Sequence, residues 1–485
     1  MGLSIISWVL NFLSLNVFYG KPTRLLVFLA VFLFFISCGG GGNSDSGGHR
    51  ASMPTTYLAN FYDENLDLIN SVEVDIANPE LNITKAKDDA GISSLYTASS
   101  LIPVLNETII LTNDINFYTV SNVVEISSQI ELNTLRDNLS GKYILINDIN
   151  LIAGEAGFHE SEGWKPIGNS SDSFKGILNG NSHKITNLWI NSPNSYVGLF
   201  GRISNAAIKN IGVETEENRN ISGNSYVGGI AGWVESNSII SNSYSAGNIN
   251  GSYYVGGIAG FVMINSTITN SYFSGDISGN QGIGGIAGFV INNSAVTNSC
   301  YMRGGGGVIS GKNQYVGGIT GAVEINSIIA NSYSAGSING YNLVGGIAGY
   351  ATLNSTISNS YAKGDVNGRE KYVGGIAGEI DKGNTVKNSA AVNPSVIGIR
   401  NVNRIAEFIS GSTALNNFAN SAIKINGAIS ADSDNNGIGK SLADFKAKST
   451  YETDLGWSFG DNDTSPWKID ENKNNGLPYL YWQEL

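Results

Sequence analysis

Between Tyr196 and Gly378 the apolar residues come in short bursts divided by Gly, Asn and Ser, and one burst recurs seven times: YVGLFG, YVGGIAG, YVGGIAG, GIGGIAG, YVGGITG, LVGGIAG, YVGGIAG. Its first glycines are Gly198, Gly228, Gly256, Gly284, Gly317, Gly345 and Gly374, at spacings of 30, 28, 28, 33, 28 and 29 residues. A near-constant period of this length marks a repeat architecture. In the unit that starts at Tyr254, the burst is followed by TITNSY (Thr267 to Tyr272), where alternation places Ile268, Asn270 and Tyr272 on one face. A third run, Asp276-Ile277-Ser278, lies between glycines. Three short strands per repeat predict one solenoid rung each, and nothing in the unit has helical spacing.

Register carries through the copies. Asn242, Asn270, Asn298, Asn331, Asn359 and Asn388 share one position, and two residues later stand Tyr244, Tyr272, Cys300, Tyr333, Tyr361 and Ala390. Stacked parallel strands bring like residues to about 4.8 Å, so these columns predict an amide ladder and an aromatic stack. Cys300 falls in the tyrosine column, where a small buried filler is expected rather than a nucleophile: no histidine occurs from Tyr196 onward. The repeat glycines read as places where coils approach closely or bend, not as a phosphate cradle, since no helix or Lys-Ser/Thr follows them.

Stack ends need covering. Glu131 to Leu139 has helical spacing, with Leu132, Leu135 and Leu139 on one stripe. Ser441 to Asp444 resembles a capping box opening a second short helix through Lys448. The tail, with Trp457, Phe459, Trp467, Tyr479, Tyr481 and Trp482, is expected to form an aromatic cap. Upstream, Tyr57 to Val120 reads as a small strand-rich module whose opening and closing strands resemble internalin-type B repeats; it is expected to be a spacer.

The N-terminus adds an address. Lys21 and Arg24 precede an apolar run from Leu25 to Ile36, too short for the ~20 residues that cross a bilayer, and Phe35-Ile36-Ser37-Cys38 resembles a bacterial lipobox. The resemblance implies lipidation of Cys38, although Phe35 stands where an aliphatic residue is usual. The following GGGGNSDSGG is a flexible tether. Expected boundaries are therefore a signal peptide (1–38), tether (39–56), spacer module (57–122), N-terminal cap and first rungs (123–195), repeat solenoid (196–400), and C-terminal rungs with the aromatic cap (401–485).

Composition fits a turn-rich sheet protein: 61 Gly, 9 Pro, 41% hydrophobic and only 14% charged residues. The net charge of −12 lacks any basic cluster and argues against nucleic-acid binding. Two cysteines, one claimed by the lipobox, exclude a disulfide-stapled fold.

The VGGIAG phrase followed by I-x-N-S-Y is similar to the GLUG motif of bacterial surface and secreted proteins. YILINDINL (Tyr143 to Leu151), WKPIG (Trp164 to Gly168), FKGILNG (Phe174 to Gly180), ITNLWI (Ile185 to Ile190), YETDLGWSF (Tyr451 to Phe459) and NGLPYLYW (Asn475 to Trp482) resemble the same family. The resemblance covers roughly residues 123–485. It implies an all-β, right-handed parallel β-solenoid in adhesin-like or secreted-hydrolase settings, with no defined activity.

Chemistry is sparse. The three histidines, His49, His159 and His183, form no zinc spacing, and only His159 and His183 are placed for a Ser-His-Asp arrangement. Asp276 and Asp365 share a repeat position, as do Glu235 and Glu324, but each pair is three rungs apart, roughly 14 Å, too far to act on one bond; a solvated face is expected. Asp432 to Gly437 matches half a calcium loop, but Ala443 stands at the position of the bidentate acid, so a polar turn is expected. Neither metal nor cofactor is implied. The reading is a lipid-anchored protein of the bacterial outer-membrane surface that binds a glycan or a host or matrix protein without catalysis. Its rivals are a polysaccharide-acting enzyme using carboxylates near the five-residue insertion at Met302 to Lys312, and a purely structural spacer.

Overall fold

The computed structural model describes residues 56–90, 94–97, 104, 108–111, 114–302 and 307–484. Cys38, the tether and Met1 to Gly20 lie outside the described residues, as does the 303–306 part of the insertion.

Each repeat makes five strands, not three. In one coil they are Ser225–Gly228, Ala231–Glu235, Ile239–Ser241, Tyr244–Ala246 and Asn248–Asn250. Each pairs in parallel with its copy one repeat on, for example Val227 with Val255, Ile240 with Ile268 and Tyr244 with Tyr272. The stacked coils give five sheets of 7, 8, 11, 11 and 12 strands, a parallel β-solenoid. Four of the five strands send an aliphatic residue inward, Val227, Val234, Ile240 and Ile249, all fully buried; the fifth, Tyr244–Ala246, buries Ser245, and one apolar cluster runs from Ile126 to Ile423.

The extra strands follow from the corners. Asn242, Asn270, Asn298, Asn331, Asn359 and Asn388 all have φ between 47° and 50°, the left-handed region that asparagine tolerates best after glycine. The chain turns at this residue. Ile268, Asn270 and Tyr272 therefore do not share a face: Ile268 enters the core, Asn270 makes the corner, and Tyr272 lies on the next sheet, Tyr272–Ser274, packed outside the core column. Two columns of buried serines flank these corners; the backbone N–H of Ser243 donates to the Ser271 hydroxyl at 3.3 Å, and Ser271 to Ser299 at 3.2 Å. The repeat glycines answer to close approach: a Cβ on Gly256 would lie 2.1 Å from the Ala259 carbonyl oxygen and 2.7 Å from Ala287 Cα in the next coil.

The ends are closed by short pieces. The expected N-terminal helix is shorter, Gln129–Asn133 with a tight turn over Thr134–Arg136, because the Thr134 hydroxyl bonds back to the Glu131 carbonyl; Leu132 and Leu135 are buried over the first coil. At the other end the Asn435 carbonyl, in the turn that resembled a calcium loop, accepts from the N–H groups of Ile405 and Ala406, standing in for a further coil. Asp432 there pairs with the buried Arg404 at 2.7 Å.

Two expectations about the flanks are corrected. The module contains a helix, Ile83–Ala90, beside its three-stranded sheet, and it lies against the first coils rather than standing apart as a spacer. Tyr62, Leu66 and Tyr118 pack with Val123 and Ile144, and Asp67 pairs with Lys209 at 2.6 Å. The aromatic tail is not an end cap. After a tight turn at Asp444–Lys446 it runs back along the side of the solenoid as a strap over the tyrosine column.

Candidate functional site

Two aromatic columns run along the outside of the coils. The first is the predicted one. Tyr244 and Tyr272 stack at 4.9 Å and Tyr333 and Tyr361 at 5.0 Å, with Cys300 between the pairs. The strap covers it: Trp482 stacks on Tyr272 at 5.9 Å, Trp467 lies against Tyr361 at 5.9 Å, and Trp457 stacks on Trp467 at 4.5 Å. Burial pushes the Cys300 thiol up to about 12 and holds the Tyr333 and Tyr361 phenols well above their ordinary range. That leaves Cys300 a filler with no thiolate at neutral pH.

The amide ladder belongs to this side. Asn270 donates to Asn242 at 3.0 Å, Asn331 to Asn298 at 3.1 Å and Asn359 to Asn331 at 3.2 Å. Between Asn270 and Asn298 the run is broken by the strap's Asp463, whose carboxylate and carbonyl take their amides at 2.7 and 3.1 Å. Asn388 accepts from Asn416 one coil on.

The second column is uncovered. The tyrosine that opens the repeat phrase sits at a left-handed corner in Tyr196, Tyr226, Tyr254, Tyr315 and Tyr372, with φ from 57° to 66°. Beside it, pointing outward from the next sheet, run Trp233, Phe261, Phe289 and Tyr350. The rings interlock: Tyr226 stacks on Tyr254 at 5.2 Å, and Trp233 on Phe261 at 4.7 Å, while Tyr226 meets Trp233 edge-on at 4.7 Å. Each of these tyrosines is partly exposed, whereas Phe261 and Phe289 beside them are buried. The signal was the first letter of the repeat phrase, which the glycines beside it overshadowed.

The carboxylates are not all solvated as expected. Glu235 is buried, held by Arg202 at 2.6 Å and by the Trp233 indole N–H at 3.1 Å. Burial pushes the Glu324 carboxyl up. Asp276 is exposed, and Asp365 accepts from Ser395 at 2.7 Å. A closer pair was missed. Glu379 and Glu407 face each other on adjacent coils at the C-terminal end of the open stripe. Glu379 is pushed up by burial and then by Asp381, whereas Glu407 accepts amides from Asn401 and Asn403 at 2.9 and 2.8 Å. Their separation of 28 residues, one repeat, was the available signal.

His183 pairs with Asp148 at 3.1 Å and His159 lies 3.2 Å from the Ser161 hydroxyl; among the described residues these contacts do not join into a triad. No group of three or more metal-ligating side chains is gathered among the described residues. Two clefts flank the columns. One, of about 720 Å³, lies between the tyrosine sheet and the strap, with Glu214 and Lys363 in its lining. The other, of about 660 Å³, opens beside Tyr196.

The model of the GLUG motif matches residues 223–250, 251–278 and 340–367. A candidate Gly-rich membrane protein of Evansella cellulosilytica is 36% identical over 98 residues, 19% of this chain and 11% of that protein. Halomucin of Haloquadratum walsbyi is 29% identical over 158 residues, 27% of this chain and 2% of that protein. The chain thus spans about a tenth or less of the length of these curated relatives. Among solved structures, a candidate immunoglobulin A1 protease of Bacteroides ovatus is 21% identical with a TM-score of 0.39, covering 74% of this chain and 93% of that one. An IgA1 protease is 18% identical with a TM-score of 0.40, covering 66% of this chain and 23% of that one.

Proposed function

We propose that this GLUG-motif repeat protein is a lipid-anchored β-solenoid of the bacterial cell surface that binds a glycan or protein ligand along its side without catalysis. The observation that carries the reading is the aromatic stripe from Tyr196 to Tyr372, whose tyrosines and Trp233 stay partly exposed on a chain that covers its other aromatic column with its own C-terminal segment. Contiguous exposed apolar surface of this kind marks an interaction site. The names of the relatives, a Gly-rich membrane protein and a halomucin, point to the same cellular place. Cys38 would carry the lipid.

The test uses the full chain in detergent on an immobilised panel of polysaccharides and matrix glycoproteins, recording retention and released reducing ends together. Retention without release is expected, and Trp233→Ala with Tyr315→Ala should abolish it while leaving the far-UV dichroism unchanged. Labelled palmitate should enter the wild-type chain and not Cys38→Ala. Retention that survives every stripe substitution sinks the binding reading.

A second reading has one observation in its favour. Glu379 and Glu407 stand on adjacent coils, and coil spacing of about 4.8 Å is close to the ~5 Å between the carboxyl groups of retaining glycosidases. An acid with a raised pKa beside an amide-bound carboxylate is the division of labour such chemistry needs. Release of sugar ends that stops in Glu407→Gln would replace the leading reading with this one.

A further inference from the structure

In the open column the rings of successive coils lie face to face where they follow one another, so a ring between two others spends both faces on them and offers solvent only an edge; the run is unbroken from Tyr196 to Tyr254 and interrupted at Gly282 and Leu343. Tyr226 is such a ring, with Tyr196 at 5.1 Å on one side and Tyr254 at 5.2 Å on the other. Tyr196 opens the column. Its ring contacts among the described residues are Tyr226 and Trp233, both in the next coil, and it borders the cleft of about 660 Å³. The first coil lines that cleft with Gly163, Trp164, the exposed Lys165, Pro166 and Gly168; Trp164 is buried with its indole N–H on the Leu199 carbonyl and makes no ring contact with Tyr196 among the described residues.

The cleft also holds a carboxylate in an unusual state for this molecule. Glu214, Glu235 and Glu407 are engaged by Lys184, by Arg202 or by two or more amides. Glu162 is half-buried and its carboxylate accepts one long hydrogen bond, 3.4 Å from the Ser192 hydroxyl, with no cation in ion-pair range among the described residues. Its spare lone pairs call for donors, and the side chains of Asn194 and Asn169 lie around the same space. The volume falls within the ~300–1,000 Å³ of small-molecule sites.

We infer that this cleft is a saccharide-binding subsite, in which the apolar face of a neutral pyranose rests on the free face of Tyr196 while its hydroxyls donate to the Glu162 carboxylate. A carboxylate acceptor and a chain of net charge −12 disfavour acidic sugars and other anions. The inference rests on the binding reading above for its class of ligand, and it narrows that reading to one place. The stripe beyond it would contact the rest of a longer chain.

The test is calorimetric titration of the full chain in detergent with cellotriose, mannotriose, chitotriose and trigalacturonate. At least one neutral trisaccharide should bind. Tyr196→Ala should weaken it about tenfold, the ~1.4 kcal/mol scale of one lost stacking contact. Glu162→Gln, which leaves the packing alone, should weaken it comparably. Tyr196→Phe should bind as wild type, and Tyr341→Ala, at an exposed tyrosine outside the stripe, within twofold of it. Binding unchanged in both Tyr196→Ala and Glu162→Gln overturns the inference, and so does a preference for trigalacturonate or silence from every neutral sugar. Retention of the same variants on polysaccharide tells the two readings apart: if it persists while trisaccharides fail, the stripe binds and the cleft does not.

Discussion

The two aromatic columns arise from the same 28-residue unit and meet water differently. On the tyrosine sheet, Tyr333 and Tyr361 are almost fully buried because Trp457, Trp467 and Leu480 of the strap lie over them. At the other corner, Tyr226 and Tyr254 stack as closely and Tyr315 meets Phe289 edge-on, but no further segment is laid over them among the described residues, and they stay partly exposed. Stacking between coils therefore does not bury a column. It removes ring faces from water and leaves a row of edges, which only a further layer covers. One column has become core by recruiting the C-terminal segment; the other is surface.

The largest effect should come from opening the covered column. Trp467 is fully buried between Trp457 and the tyrosines, so Trp467→Ala should cost about 3–5 kcal/mol in denaturant unfolding. It should also make Cys300 reactive to iodoacetamide at pH 8.5, where the wild-type thiol, pushed up to about 12, is inert. A silent thiol in the variant would mean that the strap is not what buries the column.

Alkaline pH should separate the columns next. Tyr333 and Tyr361 are held neutral by burial, with folded pKa values well above the unfolded value near 10. The unfolded chain thus gives up protons that the folded one keeps, so stability is fully present below about pH 10 and falls above it. Each of the two phenols contributes a slope of about 1.4 kcal/mol per pH unit there. Urea midpoints measured from pH 8 to 11 should fall steeply above 10, and Tyr361→Phe should flatten the fall by one phenol's share, since burial also raises Tyr118, Tyr244 and Tyr451.

How far these features were legible follows the same division. The repeat phrase and the Asn and Tyr registers told the solenoid and its ladder, because parallel stacking turns a period into a column. Five strands per coil were not legible: a three-residue strand between two corners carries too little alternation to be told from a turn, and Tyr226 or Tyr254 at positive φ runs against the usual preferences of tyrosine. Paired with its stacked neighbours, that cost is offset, but only the structure shows the pairing. The strap was misplaced for a related reason. Its aromatic residues announce burial but not against what, and the tail has no repeat to set its register. The cleft beside Tyr196 escaped because it depends on a ring that the first coil lacks.

Filling the gap in each column gives a finer comparison. Cys300 stands where the covered column lacks a ring, under Gln483 of the strap. Cys300→Tyr should overpack that space and cost about 1–3 kcal/mol. The open column lacks its ring at Gly282, whose φ is 76° and where a Cβ would meet Phe289 at 2.8 Å. Gly282→Ala should cost about 1 kcal/mol, mostly backbone strain, because the added Cβ meets side-chain ring atoms and no backbone. Equal penalties at the two sites would remove the distinction between core and surface columns.

The smallest change in stability should come from the open column itself, and it is the most informative about function. Tyr315 touches Phe289 edge-on at 5.6 Å and Tyr350 at 5.7 Å, with part of its surface in water. Tyr315→Ala should therefore cost about 0.5–1.5 kcal/mol, the scale of one aromatic contact, and leave the unfolding transition cooperative. If the stripe is a binding surface, the same substitution should lower retention on the ligand support far more than that stability loss explains, since nearly all the molecules remain folded. A variant that loses stability by several kcal/mol and retention together would instead make Tyr315 part of the scaffold, and the open column would then differ from the covered one only in lacking a strap.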